Sequence, residues 1–440
     1  MTTQEKAGLA YLTREAETCE RRIKKIRDNP DPKKPKSNLM LYECERDLRL
    51  AQAKAYTDGK PLGWVGMGGL GKALGLEIWD AIMAADRTHG EAAQKYFDII
   101  RAENMAENTC DRTIVLIPMV MRGDFPSPDF LVITNFECMP VLMSHTLVAN
   151  LLDVPYFMID RPPTSLSRTE NDEELIYLTD QIGELIEYVE AKIPGCKYDE
   201  DKLIELQHYD REYLISIRRL YELQKMIPCP LPGRESFREI RLPSTFPDPA
   251  KMVKYIQTYT SEIEEKAAKG DGAVYGEEKL RLLWSVSGPF FSDPFSWLEK
   301  RGYAIVGAEM TTYNGFRSGR EAIYGDLWKG RKLTPLEEEA RQFDYVWGRT
   351  GDYWVQAHTD SCRDLNADGI IYFHQWGCSV TNNLGKVVAD TVEHELGIPT
   401  LLIEGRMLDE SVFDEKDFFG RLEDFADLCL EIKTHPTQSK

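Results

Sequence analysis

The feature that most constrains this chain is a unit that occurs twice. The first copy starts at Asp129 and continues through the apolar, β-rich run Phe130-Leu-Val-Ile-Thr134. A loop with Cys138 follows, then a helical stretch Met139–Leu152, Val154-Pro155 and a strand ending at Asp160. The second starts at Asp368 and runs through Gly369-Ile-Ile-Tyr-Phe373, a loop with Cys378 and a helical stretch Asn382–Leu396. It closes with Ile398-Pro399 and a strand ending at Glu404. Strand, helix, strand is a βαβ unit, whose parallel strands are covered on both faces. Cys138 follows its leading Asp by 9 residues and Cys378 by 10, and each Pro precedes the closing carboxylate by 5. The two cysteines therefore hold equivalent places, just past the carboxyl end of a strand and just before a helix. Open α/β sheets bind ligands at that edge, and a helix amino end there favours an anion, a thiolate included.

Around this repeat the chain divides into an N-terminal helical segment (1–57), a first α/β lobe (58–160), a helical insertion (161–280) and a second α/β lobe (281–440). The N-terminal segment reads as two charged helices broken by the prolines at 30, 32 and 35, the second ending at Asp58-Gly-Lys-Pro. Pro61–Val65 reads as a short strand, and 77 to about 110 as helical. In the insertion, Asn171–Lys192, Asp199–Lys225 and Asp248–Lys269 are helical and rich in Glu and Lys. Strands are expected at Arg281–Val286 and Tyr303–Ala308, an irregular aromatic-rich stretch over 309–367 with a helix near 335–347, and a closing helix at Phe418–Ile432.

Composition narrows the function. A net charge of −19 argues against a general nucleic-acid surface. No apolar run approaches the ~18 residues of a membrane span, and the start at Met1 carries no apolar signal region. Nine scattered cysteines make no disulfide framework, which points to a reducing, cytoplasmic setting and leaves thiols free to bind metal. Cys110 is the natural third candidate beside Cys138 and Cys378. Cys19, Cys44, Cys196, Cys229 and Cys429 read as structural. Three thiolates from distant parts of a chain suit zinc or an iron–sulfur cluster, and the absence of C-x₂-C argues against a zinc ribbon.

Five segments carry a resemblance: Asn108-Thr-Cys110, Pro128-Asp-Phe-Leu-Val-Ile-Thr-Asn-Phe-Glu-Cys138, Asp368-Gly-Ile-Ile-Tyr-Phe-His-Gln-Trp-Gly-Cys378, Glu404-Gly-Arg-Met-Leu-Asp409 and, in the insertion, Gly195-Cys-Lys-Tyr-Asp-Glu-Asp-Lys-Leu203. Over about residues 58–430 the chain resembles the 2-hydroxyacyl-CoA dehydratase and ATP-dependent benzoyl-CoA reductase family. The resemblance implies two Rossmann-like lobes and a [4Fe–4S] cluster on three cysteines matching Cys110, Cys138 and Cys378, with one iron left open. It also implies a related cluster-bearing sister subunit, an ATP-hydrolysing activator with its own cluster, and ferredoxin as electron donor. A Tyr-Pro-Glu-Asn-like segment of the dehydratases has no counterpart at Gly75–Met83, and Arg406 stands where an acidic residue is common. With a length near that of the larger benzoyl-CoA reductase subunit, these departures set the expectation. The chain is expected to be an iron–sulfur subunit that reduces the ring of an aromatic acyl-CoA to a cyclic diene. A subunit of an (R)-2-hydroxyacyl-CoA dehydratase is the alternative.

Beside the proposed cluster, His374 and Glu137 are the candidate proton donors. Gly66-Met-Gly-Gly-Leu-Gly-Lys72 fits the P-loop spacing, but Ala73 lacks the hydroxyl that binds Mg²⁺. Gly66, Gly68 and Gly69 are instead candidates for close backbone approach to a ligand, with tight packing as the competing role. His145 and His394 read as structural.

Overall fold

The computed structural model describes residues 3–30, 34–135, 138–161, 172–236, 241–308, 327–342 and 351–435. Ten strands are found among them: β1 Leu62–Trp64, β2 Glu77–Ile78, β3 Phe130–Thr134, β4 Tyr156–Ile159, β5 Leu280–Ser285, β6 Tyr303–Ala308, β7 Leu327–Trp328, β8 Arg331–Lys332, β9 Gly369–Gln375 and β10 Thr400–Gly405. They form two four-stranded sheets, β2-β1-β3-β4 and β6-β5-β9-β10, and a small β7-β8 ribbon. All pairs in the larger sheets are parallel. The protein is α/β with an N-terminal helical segment, as expected.

The two sheets have the same strand order, so the duplication is wider than the sequence shows. Identical bonds anchor both copies. Asp129 donates its N–H to the Leu62 carbonyl and accepts the Leu62 N–H on Oδ2, at 2.7 and 2.8 Å. Asp368 does the same with Arg281, at 2.7 and 2.9 Å. The Pro155 carbonyl accepts from Leu131 N and that of Pro399 from Ile370 N. The leading Asp and the X-Pro of each repeat thus fix the register of the central strand on its two neighbours.

Both faces of the first sheet are covered. Phe130, Val132 and Ile159 share a buried cluster with Leu175, Leu178, Ile182 and Leu185 of the helix Asp172–Lys192. Leu131 and Ile133 turn the other way, into the core that includes Leu116 and Val148 of the helices Asp111–Arg122 and Met139–Leu152. The insertion therefore supplies one layer of the first lobe. Its helices Glu200–Gln224 and Pro249–Ala268 pack on each other, and the latter also packs on the N-terminal helix Asn38–Asp58. That N-terminal helix ends at Gly59, whose φ of 72° suits glycine.

Three local expectations change. Residues 77–110 hold β2 and separate helices Ala81–Asp86 and Glu91–Ala102 rather than one helical run. Residues 111–122 form a helix that Pro118 in its interior conceals from propensity. Part of the stretch expected to be irregular is the helix Gly351–Leu365, with Trp354, His358 and Cys362 buried. Among the described residues no helix is long and apolar enough to cross a membrane.

Candidate functional site

Each of the three candidate cysteines stands at or just before a helix start. Cys110 is the residue before Asp111–Arg122, Cys138 the residue before Met139–Leu152, and Cys378 lies in the loop between β9 and the helix Asn382–Leu396. These three are partly exposed, while Cys19, Cys44, Cys196, Cys229, Cys362 and Cys429 are all buried. Cys378 and Cys138 lie near enough to Cys110 to act on its charge. Burial first, then the neighbouring Cys378 and Cys138, push the Cys110 thiol far above its ordinary value, against Arg112. Among the described residues no group of three His, Cys, Asp or Glu is spaced to hold a single metal ion.

Backbone packing brings the Cys110 and Cys378 loops together. Gly377 has φ +77°, and a Cβ there would lie 2.3 Å from the Thr109 carbonyl carbon and 2.7 Å from that of Asn108. Only glycine allows this approach. Thr381 is fully buried at the N-cap of Asn382–Leu396, yet its hydroxyl makes no cap and donates to Cys378 Sγ at 3.0 Å. The Thr381 carbonyl accepts the Tyr372 hydroxyl at 2.7 Å, and Trp354 Nε1 donates to that hydroxyl at 3.0 Å.

Charged residues tie the same loops across the lobes. Arg406, just past β10, pairs with Asp111 at 2.6 Å and donates to the Glu107 carbonyl at 2.6 Å. Asp111 also accepts the Leu408 N–H at 3.0 Å. Burial raises the Asp111 carboxyl, against the pull of Arg406. Arg101 reaches Asp409 at 2.8 Å and Glu107 at 3.2 Å.

The remaining candidates lie as follows. His374, on β9, packs against the helix Asn382–Leu396. A Cβ on Gly385 would sit 2.1 Å from its Nε2, and its ring meets Tyr372 edge-on at 5.3 Å. Burial lowers its pKa, with Glu404 opposing. Glu137 lies outside the described residues. Gly66 has open space where a side chain would stand. A Cβ on Gly68 would meet Thr245 at 2.2 Å, and one on Gly69 would meet Glu339 and Ser244 at 3.5 and 3.6 Å. Lys72 is engaged with Glu77 at 2.5 Å. His145 is held neutral by burial, its pKa lowered to about 4, beside Trp64.

Sequence reasoning missed Asp111, Thr381 and Gln375. Gln375 is fully buried, and neither of its amide atoms has a hydrogen-bond partner among the described residues. The Asn-Thr-Cys-Asp run at 108–111 was a usable helix-start signal. Nothing in the sequence marked Thr381.

The fold is thus that of an α/β protein with two parallel sheets of the same strand order, in which the Cys110 loop meets the Cys378 loop. Residues 80–428 match the family described as 2-hydroxyglutaryl-CoA dehydratase, D-component, and the chain belongs to that family. It is 21% identical to the (R)-phenyllactyl-CoA dehydratase alpha subunit of Clostridium sporogenes, over 92% of this chain and 98% of that one. It is 21% identical to the (R)-2-hydroxyisocaproyl-CoA dehydratase alpha subunit of Clostridioides difficile, over 86% and 93%. With the lactoyl-CoA dehydratase subunit alpha of Anaerotignum propionicum it shares 22% over 70% of each.

These relatives overturn the benzoyl-CoA reductase expectation and favour its alternative. That expectation rested on chain length, a missing segment and Arg406. Length and the missing segment describe scaffold rather than chemistry, and Arg406 is accounted for by its pairing with Asp111.

Proposed function

We propose that this chain is a subunit of a 2-hydroxyacyl-CoA dehydratase, with Cys110, Cys138 and Cys378 holding a [4Fe–4S] cluster whose fourth iron is open. The observation that carries the function is likeness along nearly the whole chain to dehydratase alpha subunits. The reaction removes the C2 hydroxyl and a C3 hydrogen from the acyl-CoA, giving the 2-enoyl-CoA and water.

The donor set fits such a cluster. It is all sulfur, it comes from three separate loops, and Cys378 and Cys138 both act on the Cys110 thiol. Neighbouring thiolates repel one another and need a positive centre between them, which iron would provide. Bound there, the open iron would supply Lewis acidity toward a substrate oxygen together with one-electron redox capacity.

The chain's own residues do the rest. Thr381 donates to Cys378, and the Gly377–Thr109 contact sets the spacing of two thiols. Trp376 is 41% exposed beside Cys378 and offers an apolar wall to an acyl group. Gly66, at the end of β1, leaves room for a ligand at the edge of the first sheet. His374 and Glu137 are the proton-handling candidates, His374 acting only through movement of its ring off Gly385. A related sister subunit, an ATP-hydrolysing activator and ferredoxin complete the working system.

The test is anaerobic co-purification with the companion subunit, followed by assay with activator, ATP, a low-potential reductant and phenyllactyl-, 2-hydroxyisocaproyl- and lactoyl-CoA. Enoyl-CoA formed from at least one of them, and lost in Cys378→Ser, is expected. A cluster-loaded preparation that dehydrates none of them overturns the reading.

A further inference from the structure

Cys110 is not anchored by its own lobe alone. The residue after it, Asp111, is fully buried and has two partners, both from the segment after β10 in the second lobe: Arg406 Nη1 at 2.6 Å and Leu408 N at 3.0 Å. Arg406 is itself 5% exposed. Its second terminal nitrogen donates to the carbonyl of Glu107, three residues before Cys110. The flat guanidinium lies 5.5 Å from the ring centres of Trp376, two residues before Cys378, and of Phe97. One side chain therefore touches the helix start behind Cys110, the loop leading into it and the loop leading into Cys378.

Geometry makes the placement specific. A guanidinium has donors in a fixed fork and an aromatic-compatible face, so it can bond two acceptors and stack at once. The bonds join elements that are far apart in sequence and meet only at this site. The neighbouring Arg101–Asp409 pair and the bond from Gly90 N to the Leu408 carbonyl already hold the lobes together. Arg406 is thus one of several inter-lobe ties, and its side chain reaches both cysteine loops.

We propose that Arg406 is a positioning residue for the cysteine site. Through Asp111 and the Glu107 carbonyl it sets Cys110 against the Trp376–Cys378 loop, so that cluster assembly depends on it. The proposal rests on the reading of Cys110 and Cys378 as cluster ligands.

The test compares Arg406→Met/Asp111→Asn, which removes both charges and leaves no lone buried ion, with Arg406→Lys, Asp111→Asn and Cys378→Ser. All are purified anaerobically with the companion subunit. Iron per chain and the rate of iron loss to a chelator are measured. In metal-free protein, the yield of a Cys110–Cys378 cross-link with a short bifunctional thiol reagent is mapped by mass spectrometry. Circular dichroism checks folding. The double variant is expected to fold, to lose iron at least fivefold faster and to cross-link at least fivefold less, while Arg406→Lys keeps more than half its iron. Should the double variant not fold, Asp111→Asn alone carries the test with the same expectation. Wild-type iron retention and cross-linking in the folded variants, alongside iron loss in Cys378→Ser, overturn the proposal and leave the cluster reading intact. Full iron in Cys378→Ser overturns both.

Discussion

The hydroxyl of Thr381 donates to the sulfur of Cys378 at 3.0 Å, although Thr381 stands at a helix N-cap where such a hydroxyl ordinarily serves the helix. The helix start is left without that cap, and the bond serves the thiol. A donor to sulfur stabilises added negative charge, so it raises the potential of a cluster held there. A bond of about 0.5–1.5 kcal/mol corresponds to roughly 20–60 mV for one electron. Thr381→Val should lower the midpoint potential by about that amount, and Thr381→Ser should keep it. Redox titration followed by electron paramagnetic resonance reads this directly. An unchanged midpoint in the valine variant refutes the tuning role.

Exposure divides the nine cysteines into three and six. In metal-free native protein Cys138 and Cys378 should react with a maleimide well before the six buried thiols, and Cys110, whose thiol pKa is raised, should react more slowly than those two. In the loaded protein all three should be protected. Serine at any of the three should lower iron per chain, and serine at buried Cys362 should leave it unchanged. Mass mapping of the modified thiols and iron analysis check both halves.

Gly377 holds φ +77° with its Cα against the Thr109 carbonyl. Gly377→Ala places a methyl into backbone that cannot give way. It should cost upwards of about 1 kcal/mol and push the Cys110 and Cys378 loops apart. Reduced iron content with a lowered Tm is the expected pair of readings. A fully loaded alanine variant contradicts the close contact.

Behind the glycine-rich turn lies a buried acidic group. Burial raises Glu339 to about 8 and Asp210 to about 7, with Gln207 and Ser244 as their hydrogen-bond donors and Glu338, paired with Arg211, close by. Both folded pKa values lie above the unfolded ones. The unfolded chain therefore binds fewer protons as pH rises past about 4, and stability, complete below that, falls until pH passes 8. Glu339→Gln should flatten this dependence, gaining roughly 1–3 kcal/mol relative to the wild type between pH 5.5 and 8.5. Thermal unfolding at the two pH values decides it. Equal slopes for both proteins rule out a neutral Glu339.

How much of this was legible beforehand follows from the length scale of each signal. The two βαβ units, their cysteines, the long helices of the insertion and the family could be read from the sequence because alternation, helical period and X-Pro spacing are local. The match of β1-β2 to β5-β6 could not, since strands of two or three residues carry almost no pattern. The helix Asp111–Arg122 stayed hidden because Pro118 speaks against it locally while tertiary burial of Ile114, Val115 and Leu116 pays for it. His374 was chosen for its nearness in sequence to Cys378. A strand sends successive side chains to opposite faces, and its ring went under the helix Asn382–Leu396, against Gly385.

The sequence by itself determined the fold class and the duplicated strand–Cys–helix unit and singled out three candidate thiols, all from residue order over short windows. Only the tertiary structure decided which groups surround those thiols. Arg406 meets Asp111 and Gly377 meets Thr109 because the segments after β9 and β10 pack against the turn before the helix Asp111–Arg122, while Thr381 turns to Cys378 within its own loop. The Arg406–Asp111 contact joins residues 295 positions apart, and the Arg101–Asp409 contact residues 308 apart. Burial, charge pairing and steric fit choose them together, and no local pattern in the chain encodes that choice.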